Sequence, residues 1–279
     1  MPPTCDNGSS MLRQPFKSGA ALGRGLEVWA QSVVTLSLVG AVCLVPCVVL
    51  FNLGLAGPLH GSWPLAGAIS GLGFMLLLVG VVSAPMVFDK LDGLELSLGR
   101  SMSRFGATLR PVLAASALLA SMLAFLSVAP VLAYEVGAKM PASRRDILVA
   151  FAVITSMILI APIFVSVCLA PYVAVVERVS FTQSVKRSLE LSKGNRLGVL
   201  AVLVSTVVVL SCISLVFLLP VVLIEDLSRS VGVGAKLAAW CVAAVILAGG
   251  SGAIMTTVYH ELRVEKEGFG LQALSKIFS

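Results

Sequence analysis

The stretch SFTQSVKRSLELSKGNRL, residues 180–197, is polar and charged, yet it lies between two long apolar runs. The runs at 147–176 and 197–224 contain no Asp, Glu, Lys or Arg. A helix needs about 20 residues to cross ~30 Å of hydrocarbon, so either run is long enough to span a bilayer. The quoted stretch therefore marks a place where the chain leaves the apolar phase and turns back. Four further runs, at 28–54, 65–88, 111–134 and 237–259, are equally free of charge. The composition agrees, with 58% hydrophobic and only 12% charged residues among 279, where soluble domains carry about 25% charged. The alternating ~10-residue segments of a membrane β-barrel are absent. The sequence predicts an all-α, polytopic bundle of six transmembrane helices, as a single integral membrane domain over 1–279. The first 27 residues are polar and Gly-rich, and the run after them far exceeds a signal-peptide core of about 7–15 residues. The first span is thus expected to be retained as an anchor.

Six spans place both termini on one side. That side receives Arg13, Lys17 and Arg24 before the first span, then Lys90, Arg100, Arg104 and Arg110 between the second and third. It also receives Arg178, Lys186, Arg187, Lys193 and Arg196, and finally Arg263, Lys266 and Lys276. The opposite connections hold only Lys139, Arg144, Arg145, Arg229 and Lys236. An excess of Lys and Arg in short loops marks the cytoplasmic face, so both termini are expected there.

The opening stretch has relatives within the chain. ALGRGLE (21–27), SLGRSMS (97–103) and SVKRSLE (184–190) each place Arg two residues after an apolar one, then Gly or Ser, then Leu or Met. APMV (84–87) and APYV (170–173) close the span before the second and third copies. Three matches in one topological position predict three repeats, at about 16–88, 91–176 and 180–260, each an amphipathic helix followed by a helical hairpin. A cytoplasmic amphipathic tail, 261–279, follows. At 100° per residue, Phe181, Val185, Ser188, Leu189, Leu191 and Ser192 share one half of a wheel, opposite Gln183, Lys186, Arg187, Glu190 and Lys193. In the second copy Leu91, Leu94, Leu98, Met102 and Phe105 form the stripe. In the tail it is Leu271, Leu274, Ile277 and Phe278. Such moments with basic polar faces are those of helices lying in the membrane interface.

At VERVSFTQSVKRSLELSKGNRLGVLAVLV (176–204) and VYHELRVEKEGFGLQAL (258–274) the chain resembles the bacterial membrane-domain family of glycerophosphoryl diester phosphodiesterases. Arg187, Ser188, Glu190, Leu191, Gly194, Asn195 and Arg196 match the family's amphipathic segment. Tyr259, Leu262, Arg263, Glu267, Gly268 and Phe269 match its exit segment. Leu189 and Leu197 stand where the family favours Trp, His260 where it favours Tyr, and Gly270 where it favours Asp. The resemblance covers roughly the C-terminal third and implies a stand-alone membrane domain in the bacterial inner membrane. The phosphodiesterase activity belongs to a separate soluble barrel, typically about 250 residues, for which the six spans leave no room.

No catalytic constellation accompanies these segments. HExxH, paired CxxC, GxSxG and phosphate-cradling Gly loops are absent, and His60 and His260 are the only histidines. Glu225 and Asp226 read as a helix-end cap or solvated turn, and SRRD (143–146) as a capping box opening the fourth span. Five of the 6 cysteines lie inside apolar runs, where they act as small hydrophobes, so no disulfide framework is expected. Nor is a cofactor or a metal site. The spans also lack the intramembrane charge that coupled transporters use. GAISG (67–71) and AGGSGA (248–253) allow close helix approach. The expected function is therefore non-enzymatic: organising membrane lipids, or a partner protein, through cytoplasmic basic helices. The candidate contacts are Arg100, Arg104, Arg110, Lys186, Arg187, Lys193 and Arg196. The alternative is a transporter or facilitator of a lipid-like or small apolar cargo, with Pro46, Pro130, Pro162 and Pro220 breaking helices around it. The basic residues are spread over membrane-flanking loops, so nucleic acid is not an expected partner.

Overall fold

The computed structural model describes residues 16–55, 62–93, 98–227 and 232–267, and every regular element among them is helical. The elements are α1 (Ser18–Leu55), α2 (Ser62–Leu91), α3 (Leu98–Ala107), α4 (Leu109–Val136) and α5 (Ala142–Val167). They continue as α6 (Ala170–Glu177), α7 (Phe181–Ser192), α8 (Arg196–Leu227) and α9 (Gly232–Glu267), with a 3₁₀ turn at Gly137–Lys139. Leu109–Lys139, Ala142–Glu177, Arg196–Val216 and Cys241–Glu267 are long and apolar enough to cross a membrane.

Burial separates these helices into an axle and a rim. The apolar window of α9 is 78% buried inside the molecule, while that of α5 is 6% buried. Helix α9 packs against α1, α2 and α8. Helix α5 instead exposes Ile147, Phe151, Ile154 and Ile158 along one face. An apolar face that wide is suited to hydrocarbon rather than water.

Small residues let α9 occupy the centre. Within AGGSGA, a methyl placed on Gly252 would stand 2.6 Å from the Gly80 Cα and 2.7 Å from the Gly80 carbonyl oxygen. One placed on Gly25 would stand 2.7 Å from the Ile254 Cα. Backbone therefore meets backbone at both crossings, as small-residue motifs permit. The GAISG side chains lie outside the described residues. Ser83, Thr256 and Thr257, all buried, direct their hydroxyls to carbonyls three or four residues back in their own helices. The apolar bundle thus buries them with partners.

The three matched stretches take three different forms. The first, 21–27, is continuous with the first span, because nothing between Ser18 and Val28 interrupts α1 and Gly25 seats that turn on Ile254. It is not a separate surface helix. The second forms α3, but its expected stripe is divided, since Leu91 ends α2 and a turn at Asp92 and Gly93 follows. Leu94 and the tail stripe Leu271, Leu274, Ile277 and Phe278 lie outside the described residues. The third forms α7, as the periodicity predicts. Its covered face differs from the wheel, however, because Ser184, Ser188, Leu191 and Ser192 are buried and Leu189 is exposed. The cover is protein, α5 and α6, and close helix contact favours serine over leucine.

Two local expectations also change. The run at 147–176 is not one helix. Pro171, lacking an N–H, stands in the first turn of α6 after a break at Cys168 and Leu169, since proline fits the first turn and not the interior of a helix. Pro85 of APMV, by contrast, stays inside α2. At the start of α5 the N-cap is Pro141 and no side chain caps it, so SRRD is not a capping box. The backbone N–H groups of Arg144 and Arg145 donate to the Pro141 carbonyl, and the Arg145 guanidinium lies 4.9 Å from the Tyr134 ring centroid.

The Gly80–Gly252 crossing yields a contrast. Gly252→Val is expected to lower stability by at least about 1–3 kcal/mol, the usual overpacking cost. Gly23→Ala, with nothing within 4 Å of the added carbon, should raise it by about 0.5–1 kcal/mol. Thermal unfolding of the detergent-solubilised chain checks both, and equal behaviour of the two variants would contradict the close crossing.

Candidate functional site

Most of the charged residues among the described ones gather at one end of the bundle, where α3, α6 and α7 meet the start of α1 and the ends of α2 and α9. Helix α7 is set there by local chemistry. Its N-cap is Ser180, and the Gln183 Oε1 accepts from the Ser180 backbone N–H at 3.3 Å, the reciprocal half of a capping box. Its far end is closed by Gly194, whose φ of +91° suits glycine. The serine face then docks on the break in the preceding span. Ser188 Oγ donates to the Ser166 carbonyl at 2.8 Å. The last carbonyls of a helix lack intrahelical donors, so α7 supplies one where α5 stops.

An ionic network fixes α7 to α6 and α9. Tyr259 Oη donates to Glu177 Oε1 at 2.8 Å, and the Arg187 guanidinium lies 3.5 Å from the same carboxylate. Arg187 also pairs with Glu267, which accepts from Arg263 Nε at 3.0 Å. Asn195 Nδ2 donates to Glu265 Oε2 at 2.6 Å, and Lys266 Nζ to the Lys193 carbonyl at 2.7 Å. The turn after α7 is thus clamped to the end of α9. On the neighbouring side Arg24 pairs with Glu261 at 2.5 Å, and Lys90 Nζ donates to Ser32 Oγ at 2.9 Å.

Beside the network lies a pocket of about 320 Å³, walled by Phe88, Asp89, Asp92, Arg104, Arg178 and Arg263. A second hollow of about 250 Å³ shares Phe88, Asp92 and Arg263 with it and extends to His260. Asp89, 3% exposed, is held by Arg104 at 2.6 Å. Asp92 faces His260 Nε2 at 3.5 Å, and the His260 ring meets Phe88 edge-on with centroids 5.5 Å apart. Arg178 closes α6 in the left-handed conformation, φ 54° and ψ 41°. Glycine is usual at such a helix end, and a non-glycine there carries strain of order 1–3 kcal/mol.

The sequence-predicted contacts divide into two groups. Arg104 and Arg187 are engaged inside the protein. Arg110, Lys186, Lys193 and Arg196 are exposed, and their side chains have no hydrogen-bond or ion-pair partner among the described residues. Arg100 lies on α3, and its side chain is outside the described residues. Sequence reasoning passed over Glu177, Arg178, Asp89 and Asp92 as site residues, and over Ser180 with Gln183 as a cap. The S-x-x-Q spacing of SFTQ carried the last signal. Nothing local signalled the pocket, whose walls come from four separate segments. Among the described residues no group of His, Cys, Asp and Glu is arranged to hold a metal.

No protein-family model matches the chain, no curated protein matches it, and no solved structure does so.

The network makes Arg187 a tie between helices. Arg187→Ala should destabilise the chain by about 1–3 kcal/mol, because it leaves half-buried carboxylates without their donor. A double-mutant cycle with Glu267→Gln should return a coupling of about 0.5–3 kcal/mol. Additive effects in thermal unfolding would contradict the pairing. Ser188→Ala combined with Ser192→Ala should cost a further 1–3 kcal/mol, roughly the cost of an unsatisfied buried carbonyl.

Proposed function

We propose that the chain is a six-span, non-enzymatic membrane domain of the glycerophosphoryl diester phosphodiesterase membrane-domain type. In this reading it sits in the bacterial inner membrane with both termini cytoplasmic, and its basic end organises anionic lipid or a partner protein. The observation that carries this reading is the split among the cations. Arg187 and Arg104 pair with acids, whereas Arg110, Lys186, Lys193 and Arg196 are exposed without one among the described residues.

The position of two of these residues adds support. Arg110 stands in the first turn of α4 and Arg196 opens α8. The helix dipole disfavours cations at N-termini, so a basic residue there is better accommodated by an external anion. Anionic headgroups supply one, at on the order of 1 kcal/mol per Lys or Arg near the surface. The family likeness draws support from geometry, because its two matching segments meet through the Arg187–Glu267 pair and the Asn195–Glu265 hydrogen bond. Helices α1 and α2, at 38 and 30 residues, have the length to complete six spans.

Lipids retained by the detergent-purified full chain, measured by native mass spectrometry, test the reading. The triple variant Lys186→Glu, Lys193→Glu, Arg196→Glu is expected to retain phosphatidylglycerol about 10–100-fold less tightly than wild type, in line with on the order of 1 kcal/mol per residue. Wild-type retention should fall as salt rises. Unchanged retention in the variant would reduce these residues to a topogenic role and remove the proposed function.

A further inference from the structure

Cations from three separate segments converge on the turn between α7 and α8. Lys193 closes α7 and Arg196 opens α8, both exposed and without a side-chain hydrogen-bond or ion-pair partner among the described residues. From α9, Lys266 Nζ reaches this turn and donates to the Lys193 carbonyl at 2.7 Å. A methyl placed on Gly194 would stand 4.0 Å from the same nitrogen. An ammonium has three N–H donors, and Lys266 meets no carboxylate among the described residues. From the start of the described chain, the Phe16 ring seats on the first turn of α8, where a methyl on Gly198 would stand 2.8 Å from it. Phe16 also packs on the main core. It therefore anchors its neighbour Lys17 at the same end of α8, exposed and without a side-chain partner among the described residues.

The acids nearby are already engaged. Glu265 accepts from the neutral Asn195 Nδ2 at 2.6 Å, and Glu190, in the last turn of α7, lies 3.8 Å from Arg187. Below the cations the surface is apolar. Leu197 is 82% exposed, and Val204 and Val208, 55% each, continue its stripe along α8.

We infer that the α7–α8 turn binds a phospholipid carrying two phosphodiesters, of diphosphatidylglycerol type, with its phosphates shared among Lys17, Lys193, Arg196 and Lys266. This rests on the membrane reading above and deepens it, since general attraction to a basic surface requires neither Lys17 nor Lys266. One phosphodiester neutralises one of these cations. A second on the same molecule meets the remaining ones at the high effective concentration that a short linker sets. The Leu197 stripe gives acyl chains a surface directly beneath the headgroup, which a soluble phosphate would leave unused.

The test uses the full chain in neutral detergent at fixed low salt, titrated with diphosphatidylglycerol and phosphatidylglycerol at equal phosphate and read by native mass spectrometry. Wild type should bind the two-phosphate lipid about tenfold more tightly. Lys17→Gln combined with Lys266→Gln should bring that ratio close to one, while Lys17→Arg combined with Lys266→Arg should keep it. Lys17→Gln alone, which removes no bond within the bundle, should lower the ratio about threefold without changing the melting temperature. Equal binding of the two lipids by wild type would overturn the inference, as would a wild-type ratio in the double glutamine variant. Displacement of the lipid by equimolar pyrophosphate would make a soluble diphosphate the ligand and overturn it too; retention of the lipid supports it. If phosphatidylglycerol retention still falls in the Lys186, Lys193 and Arg196 variant, a failure here belongs to the two-phosphate site alone. If that retention is also unchanged, the membrane-surface reading fails separately.

Discussion

Two backbones cross at Gly80 and Gly252 more closely than any side chain would permit, and the rest of the bundle is arranged around that contact. In an apolar solvent, burying leucine gains little over leaving it in lipid, so association relies on close packing. Glycine at the crossing of α2 with α9, and at that of α1 with α9, brings helix backbones together over a long contact. Helix α9 becomes the buried axle, and its last turns emerge where the charged residues can meet.

The second organising feature is a discontinuity. Pro171 stops the fourth apolar run from continuing as one helix. The short α6 then turns fully inward, with Ala170, Tyr172, Val173, Ala174 and Val175 all buried. A broken helix in an apolar setting leaves carbonyls without donors, and the serine face of α7 meets that need. Helix α7 is therefore held from two sides, by hydrogen bonds to α5 and by the Arg187 network to α6 and α9. A helix that periodicity alone would lay on lipid is instead part of the protein's own surface layer, with Lys186 and Lys193 directed outward.

This docking sorts cations that look equivalent along the chain. Arg187 and Lys186 are neighbours, yet one ties three helices together and the other is exposed without a partner among the described residues. Arg178 is set apart by its backbone, which adopts a conformation normally left to glycine. The resulting end of the molecule combines an internal lattice of ion pairs with an outer fringe of basic side chains, and the mixed-charge pocket lies between them.

The helical class and the presence of long apolar helices were legible in the sequence, because hydropathy over twenty residues is a local property that any apolar environment reads in the same way. The helix at 181–192 was legible for the same reason, as was the small-residue character of AGGSGA. Tertiary structure alone decided which face of that helix is covered, which arginines are engaged and where a pocket forms. Those outcomes depend on Pro171, Arg187, Glu267 and Asp89 meeting residues from distant segments. A repeat written in seven-residue matches cannot encode this, because identical local patterns dock against different neighbours. The first copy merged into α1 where Gly25 met Ile254, while the third stood apart where Ser188 met Ser166. Hydrophobicity is additive along a chain, whereas pairing of charges and hydroxyls depends on three-dimensional proximity, and only the folded bundle sets that.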